Sequence, residues 1–348
     1  MDDRFDIWNA ALELAESGVN GTLASVSRQR GSCPMASDAK MVVADDGRLW
    51  GTVGGGCIEA DVVEASVATA KCGEPRFVSH TLTADSAGDL GLSCGGTAEF
   101  FLEPIVRSPE MVQLYTSVAK AIRERTPVVV ITGVAWSTGP KKAVRFLGEQ
   151  GSPDQLVVGD FEVPASIEEA LERGRSTYFD EEAGILVESV PRKPRAVIFG
   201  AGHVGVEIAK VAAGVGFFVV VYDDREEFAN AERIPWAQEV RVEDFRTMFD
   251  GLEFDEDDYL LATTRGHNFD ALIIEHVAAS PAGYVGMLGS KRKRAVIFRA
   301  LEAAGVPADA LARVKTPIGL DIGADTPAEI AVSVVAELVK VRRLGGDG

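Results

Sequence analysis

One turn in this chain has the residue types and spacing for phosphate chemistry. An apolar strand, Ala196 to Phe199, runs into Gly200-Ala201-Gly202-His203-Val204-Gly205, and a helical pattern follows. A second strand, Phe217 to Tyr222, then ends in Asp223 and Asp224. Strand, GxGxxG turn, helix and an acid about 20 residues on is the spacing of a dinucleotide-binding βαβ unit. Gly200 would make the tight turn, Gly202 would let backbone N–H groups approach a pyrophosphate, and Gly205 would let the helix pack close on the sheet. The helix N-terminus adds unsatisfied donors and a partial positive charge. Asp223 or Asp224 would accept from a ribose hydroxyl and repel a 2′-phosphate.

Two glycine-cysteine sites lie earlier in the chain. Gly54-Gly55-Gly56-Cys57 opens a helical pattern with Ile58, Val62 and Ala65 on one side and Glu59, Asp61 and Glu64 near its start. Consecutive glycines can form a nest of N–H groups that holds an anion. A cysteine in the first helical turn is biased toward thiolate. The competing reading is a plain strand-to-helix turn with Cys57 as a small buried hydrophobe. The second site is Cys94-Gly95-Gly96, which leads into a strand where Ala98, Phe100 and Leu102 alternate with Glu99, Phe101 and Glu103. Read alone, it is more readily a bulge or strand-entry bend. Cys72 reads as structural, and Cys33, beside Pro34 in a loop, could face either way.

The elements around the first turn continue a doubly wound pattern. A strand at Tyr259 to Thr263 precedes a loop with Arg265, Gly266 and His267. A further strand in YVGML precedes Gly289-Ser290 and the basic run Lys291, Arg292, Lys293 and Arg294. Ser290 is a candidate N-cap. Ligands of open parallel sheets sit at the carboxyl ends of the strands, so these turns should share one rim with Asp223. Cations there suit a phosphorylated ligand, although a basic run is also an ordinary solvated helix face. His203 and His267 could contact phosphate or polarise a carbonyl, or simply bond to nearby backbone. Thr326-Pro327-Ala328-Glu329 is a capping box opening the last helix.

The rest of the chain supplies a second lobe. Phe5, Trp8, Leu12 and Ala15 mark a helix closed by Gly18, a strand covers Thr22 to Ser27, and Asp46-Gly47 is a hairpin turn. Residues 106–190 show one amphipathic helix, Met111 to Arg123, a strand at Val128 to Val134, turns at Trp136 to Pro140 and in SPDQLVVGD, and a short helix in EVPASIEEALERG. Nothing in this stretch asks for a chemical role. Pro191 to Arg195 is a stiff polar joint. The expected fold is therefore α/β: a mixed N-terminal domain over residues 1–190, with its motifs in 1–105, and a Rossmann-like doubly wound parallel sheet over 191–348.

A chain of 348 residues has room for two full cores. A formal charge of −18 argues against nucleic-acid or anionic-membrane partners. No apolar run reaches the roughly 18 residues of a membrane span. The cysteines Cys33, Cys57, Cys72 and Cys94 show no C-x-x-C pair, and the acidic start MDDRFD is unlike a signal peptide. The expectation is a cytoplasmic protein with reduced thiols.

Taken in order, AKMVVADDGRLWGTVGGGCIEADV, GLSCGGTAEFFLEPI, VIFGAGHVG with VYDDREEFA, TRGHNFD, YVGMLGSKRKR and PIGLDIGADTPAEIAVSVVAELV resemble the XdhC/CoxI family. Its members are accessory proteins of molybdenum hydroxylases such as xanthine dehydrogenase. The resemblance implies a chaperone that holds molybdenum cofactor (molybdopterin), supports its sulfuration by a cysteine desulfurase, and inserts it into an apo-molybdenum hydroxylase. It would place Cys57 and Cys94 near the metal or the sulfur being handled, since thiolates suit a thiophilic metal. Gly54, Gly55, Gly56 and the rim residues Arg265, His267, Gly289, Ser290, Lys291 and Arg292 would meet the pterin phosphate. One departure stands out: GSCPMASDAKM has Met35 where the family usually has arginine, Asp38 where it usually has glycine, and Cys33 as an added thiol. Two other functions are compatible with the residues. One is an NAD(P)-dependent oxidoreductase acting on a small carbonyl substrate, with His203 or His267 as acid or base. The other is an assembly factor that senses a dinucleotide. A homodimer is compatible with any of these.

Overall fold

The computed structural model describes residues 3–81, 96–136, 139–146, 155–160 and 177–345. The chain divides into two compact units, one spanning Asp3–Arg192 and the other beginning at Lys193.

The N-terminal unit is built on two antiparallel sheets. Strands β1 (Gly21–Arg30), β2 (Lys40–Ala44), β3 (Leu49–Gly51), β4 (Arg76–Thr81) and β5 (Thr97–Pro104) form a sheet of order β3-β2-β1-β5-β4. The second sheet, of order β8-β7-β6-β10-β9, uses β6 (Val128–Gly133), β7 (Lys142–Phe146), β8 (Gln155–Val158), β9 (Thr177–Asp180) and β10 (Ile185–Val190). Period-two alternation decides what each face meets. Leu23 of β1 packs with Ile7, Trp8 and Leu14 of α1 (Asp3–Ser17) and with Leu114, Tyr115 and Val118 of α3 (Pro109–Arg123). The same core takes Val128, Val130 and Val144 from the second sheet. Ala24 and Val26, on the opposite face of β1, pack with Met41, Phe100, Leu102 and Val62 of α2 (Gly56–Cys72).

Two features of the middle region depart from the sequence reading. The SPDQLVVGD stretch, expected as turn, contains β8, because Gln155–Val158 pairs with β7. Residues 106–190, expected to be inert, carry a sheet whose Glu188 reaches β1 and β2, as described below. The helix expected in EVPASIEEALERG lies outside the described residues.

The C-terminal unit is a parallel sheet of order β13-β12-β11-β14-β15, formed by β11 (Arg195–Phe199), β12 (Phe218–Asp223), β13 (Glu239–Val242), β14 (Asp258–Ala262) and β15 (Tyr284–Met287). All four ladders are parallel. Val197 and Phe199 face a core with α5 (His267–Val277) and α6 (Lys291–Ala303). Ala196 and Ile198 face a core with α4 (His203–Gly214) and α8 (Pro327–Leu344). Short α7 (Ala308–Ala312) completes the described helices. The capping box forms as spaced: the Thr326 hydroxyl accepts from Glu329 N, and the Glu329 carboxylate accepts from Thr326 N at 2.9 Å. No described helix is long and apolar enough to cross a membrane.

Candidate functional site

In the C-terminal unit the glycines of the β11–α4 turn divide into two that hold the fold and one that faces outward. Gly200 has φ of +117°, and a Cβ there would lie 2.7 Å from the Thr263 carbonyl oxygen. A Cβ on Gly205 would come within 1.9 Å of the Gly200 carbonyl oxygen, so the helix approaches the sheet only because that side chain is absent. Gly202 is different: a Cβ would meet nothing within 4 Å. It caps α4 with no side chain on the helix N–H groups. The first turn therefore presents uncapped donors on an open face, the geometry a pyrophosphate requires. His203 is the exposed first residue of α4.

Asp223 closes the other side of the turn. It is 1% exposed and accepts from Ala201 N at 2.8 Å, from Arg225 N at 3.2 Å, and from the Arg225 guanidinium at 2.8 and 3.0 Å. Burial alone would raise its carboxyl, but the bonds from Arg225 and Ala201 and the Arg225 charge hold it below the usual carboxylate range. Its hydrogen-bonding capacity is thus directed at the protein's own groups rather than at the crevice. Asp224 faces Arg225 at 3.6 Å and Arg265 at 3.5 Å.

Parallel pairing puts the ends of β11, β12, β14 and β15 on one edge, as the sequence predicts. At the β14 end, Arg265 is more than half exposed, and Gly266 caps α5, which begins at His267. At the β15 end, Gly289 precedes Ser290, which accepts from Lys293 N at 3.2 Å and so caps α6 as expected. The basic run splits. Lys293 turns inward to buried Asp270 and to the Leu288 carbonyl, and Arg294 stacks over Phe298 at 4.5 Å, while Lys291 and Arg292 remain exposed.

The glycine run of the N-terminal unit does form a nest. Gly54, Gly55 and Gly56 have φ of +123°, +73° and +64°, a left-handed run that few other residues would adopt. The anion it holds is the chain's own. Glu59 Oε2 accepts from Val53 N and Gly55 N, both at 3.2 Å, and from the Thr52 hydroxyl. Cys57, in the first turn of α2, is exposed and free, so the buried-hydrophobe reading of this thiol is wrong.

Cys94 lies outside the described residues, but Gly96 of its motif does not. A Cβ on Gly96 would lie 2.4 Å from the Ser32 carbonyl oxygen and 2.9 Å from Cys33 Sγ. The Cys33 thiol points to the carbonyls of Thr97 and Arg30, at 3.6 and 3.8 Å. Two positions distant in sequence therefore meet, with Cys33 against Gly96 and Thr97. Met35 is buried in the core with Met41, Val53 and Val62. Its side chain would lie 3.1 Å from a Cβ on Gly54, and it lines a cavity of about 260 Å³ with Pro34, Asp38, Lys40, Thr52 and Gly54.

Sequence reasoning missed the charged cluster behind this loop. Lys40 Nζ meets Glu188 Oε1 at 3.0 Å, Ser25 donates to the same oxygen at 2.8 Å, and Lys142 bonds Glu103, all buried. Burial lifts the Glu103 carboxyl despite Lys142. Glu188 would be lifted too, but Lys40 and Lys142 bring it below its ordinary value. A glutamate directly after the apolar run Ile185 to Val187 of β10 was the available signal. Among the described residues, no group of three His, Cys, Asp or Glu side chains forms a metal site.

Comparison with known proteins gives a consistent neighbourhood. A family model described as "XdhC and CoxI family" matches residues 14–81, and one described as "XdhC Rossmann domain" matches residues 196–338. A Bacillus subtilis protein named as a probable xanthine dehydrogenase subunit is 27% identical over 95% of this chain and 96% of its own length. The Escherichia coli protein named molybdenum cofactor insertion chaperone PaoD is 22% identical over 98% of this chain and 89% of its own length. The uncharacterized Escherichia coli protein YqeB is 26% identical over 97% of this chain, which spans 46% of YqeB. A crystal structure titled as a xanthine dehydrogenase from Bacillus halodurans superposes with a TM-score of 0.79 at 25% identity, covering 100% of this chain and 97% of that one.

Proposed function

Because this chain belongs to the XdhC and CoxI family, we propose that it is an accessory chaperone that carries molybdenum cofactor as cargo. It would hold the cofactor during sulfuration by a cysteine desulfurase and insert it into a xanthine dehydrogenase-type molybdenum hydroxylase. The observation that carries this reading is the state of Cys57. It is a free thiol, exposed on the first turn of a helix opened by glycines. An accessible thiol there offers a soft sulfur donor, matched to a thiophilic metal or to transferable sulfur. Cys94, in the family's second glycine-cysteine motif, is proposed to share that role. The open face at Gly202 offers N–H donors for a phosphate, with Arg265, Lys291 and Arg292 as exposed cations following the ends of β14 and β15.

The test is direct. Protein purified from a cofactor-producing host is denatured and the released material is assayed for molybdopterin and for nicotinamide. Molybdopterin is expected near one equivalent per chain, with retention lost in Cys57→Ala and reduced in Cys94→Ala. Retention unchanged in both variants would remove the thiols from the cargo site. Steady NADH turnover with a small carbonyl substrate would instead support an oxidoreductase.

A further inference from the structure

We infer that the C-terminal unit binds a 2′-phosphorylated nicotinamide dinucleotide in preference to its unphosphorylated counterpart. This goes beyond the cargo reading and rests only on the unit being a Rossmann domain that takes a dinucleotide. In such domains an acid at the end of the second strand accepts from the adenosine ribose diol, whereas a nearby arginine accommodates a 2′-phosphate. Both residue types are present here, so their mutual arrangement decides the preference.

Asp223 ends β12, where the diol acceptor belongs, but it is almost wholly buried. One of its oxygens takes Ala201 N and an Arg225 N–H, and the other takes Arg225 Nε and Arg225 N. A ribose diol would have to displace a bidentate guanidinium to reach it. The guanidinium itself is 18% exposed in its side chain and lies 3.6 Å from the Phe228 ring centroid. Arg233 approaches the same ring at 4.8 Å and donates to the Phe228 carbonyl at 2.7 Å and to that of Ala201 at 3.4 Å. Arg265, more than half exposed, reaches Asp224 from the end of β14, on the far side of β11. Three guanidiniums thus gather beside the glycine turn. Asp223 and Asp224 are each paired to them, and Glu226 and Glu227 are exposed, where water and salt screen them. Guanidinium matches a phosphate monoester in shape and charge, and a ribose hydroxyl is a weaker partner for it.

The preference is read by titrating the full chain with NADPH and with NADH, followed by dinucleotide fluorescence or calorimetry. NADPH should bind at least about tenfold more tightly, the scale of one lost charge-assisted contact. Arg225→Ala removes the phosphate partner and releases the Asp223 carboxylate, so NADPH should weaken by about tenfold or more while NADH tightens. Arg265→Ala tests the same rim at an exposed position where folding is not at stake, and should weaken NADPH alone. NADH binding as well as NADPH, no binding of either, or an unchanged preference in both variants would overturn the inference. Molybdopterin content is assayed on the same preparation. A chain that retains molybdopterin without preferring NADPH refutes this inference alone, and one that prefers NADPH without retaining molybdopterin refutes the cargo reading alone.

Discussion

The two glycine turns look alike in sequence and differ in what fills them. Each opens a helix, and each has an acid of its own bonded to turn N–H groups. In the C-terminal unit that acid is Asp223, which takes Ala201 N from beneath and leaves the face above Gly202 open. In the N-terminal unit it is Glu59, which reaches back into the concavity and takes Val53 N and Gly55 N. One turn is braced by its acid, and the other is occupied by it. A glycine pattern therefore announces available N–H groups, while the position of the nearest carboxylate determines whether a ligand finds them free.

The sharpest way to break this comparison is to add side chains at its glycines. Gly205→Val drives carbon into the Gly200 carbonyl, and should destabilise the C-terminal unit by about 3 kcal/mol or more, with the thermal transition of that unit lost or shifted well down. Gly202→Val meets open space. It should leave that transition nearly in place while removing phosphate or dinucleotide binding. If both variants unfold the unit equally, Gly202 is a packing glycine and the turn is not an open one.

A second large effect concerns the buried charges behind the N-terminal turn. Lys142→Met leaves Glu103 without its partner in the core, and should cost about 3–5 kcal/mol at neutral pH. The sign of the pH dependence follows from the raised Glu103 carboxyl. Protonation makes that group neutral, so the deficit of the variant relative to wild type should shrink as pH falls toward the acid range. Denaturant midpoints at neutral and mildly acid pH check this, and a deficit that grows on acidification would place the charge on Glu103 elsewhere.

Much of this was legible from residue order. The GxGxxG turn, the parallel strands and the Ser290 and Thr326 caps follow from local rules that burial reinforces. The N-terminal hairpin followed equally well, since Asp46-Gly47 fixes its turn. What escaped was long-range or short of signal. β13, with the sequence EVRV, is a four-residue edge strand whose half-exposed residues give little periodicity. β8 is equally short, and pairing with β7 overrides its turn-like flanks. Glu188 lies 163 residues from Ser25 and 148 from Lys40, so no local pattern could join them. Arg225 was in plain view, two residues from Asp223, yet only geometry shows that it consumes the acid.

Glu59→Gln sharpens the comparison from the other side. The amide keeps the side chain's size but gives up the charge that favours the start of α2. The N-terminal unit should lose about 1 kcal/mol, the scale of a charge at a helix N-terminus, read as a small drop in its denaturant midpoint.

The smallest expected effect belongs to Asp223. Its folded carboxyl lies below the ordinary 3.8, so the group contributes stability that is complete above that value and is lost as pH falls through the lowered one. Asp223→Asn removes this contribution while leaving an oxygen that can still accept from Ala201 N. At neutral pH the variant should be less stable than wild type by about 1 kcal/mol or less, the range for a hydrogen bond to a charged group discounted for Arg225's partial exposure. Below the lowered value the two proteins should converge. Acid titration of the C-terminal unit's unfolding, wild type against variant, measures the convergence directly. Curves that stay parallel down the whole acid limb would mean that Asp223 is not held by Arg225 in the folded chain, and the turn would then be braced by something other than its acid.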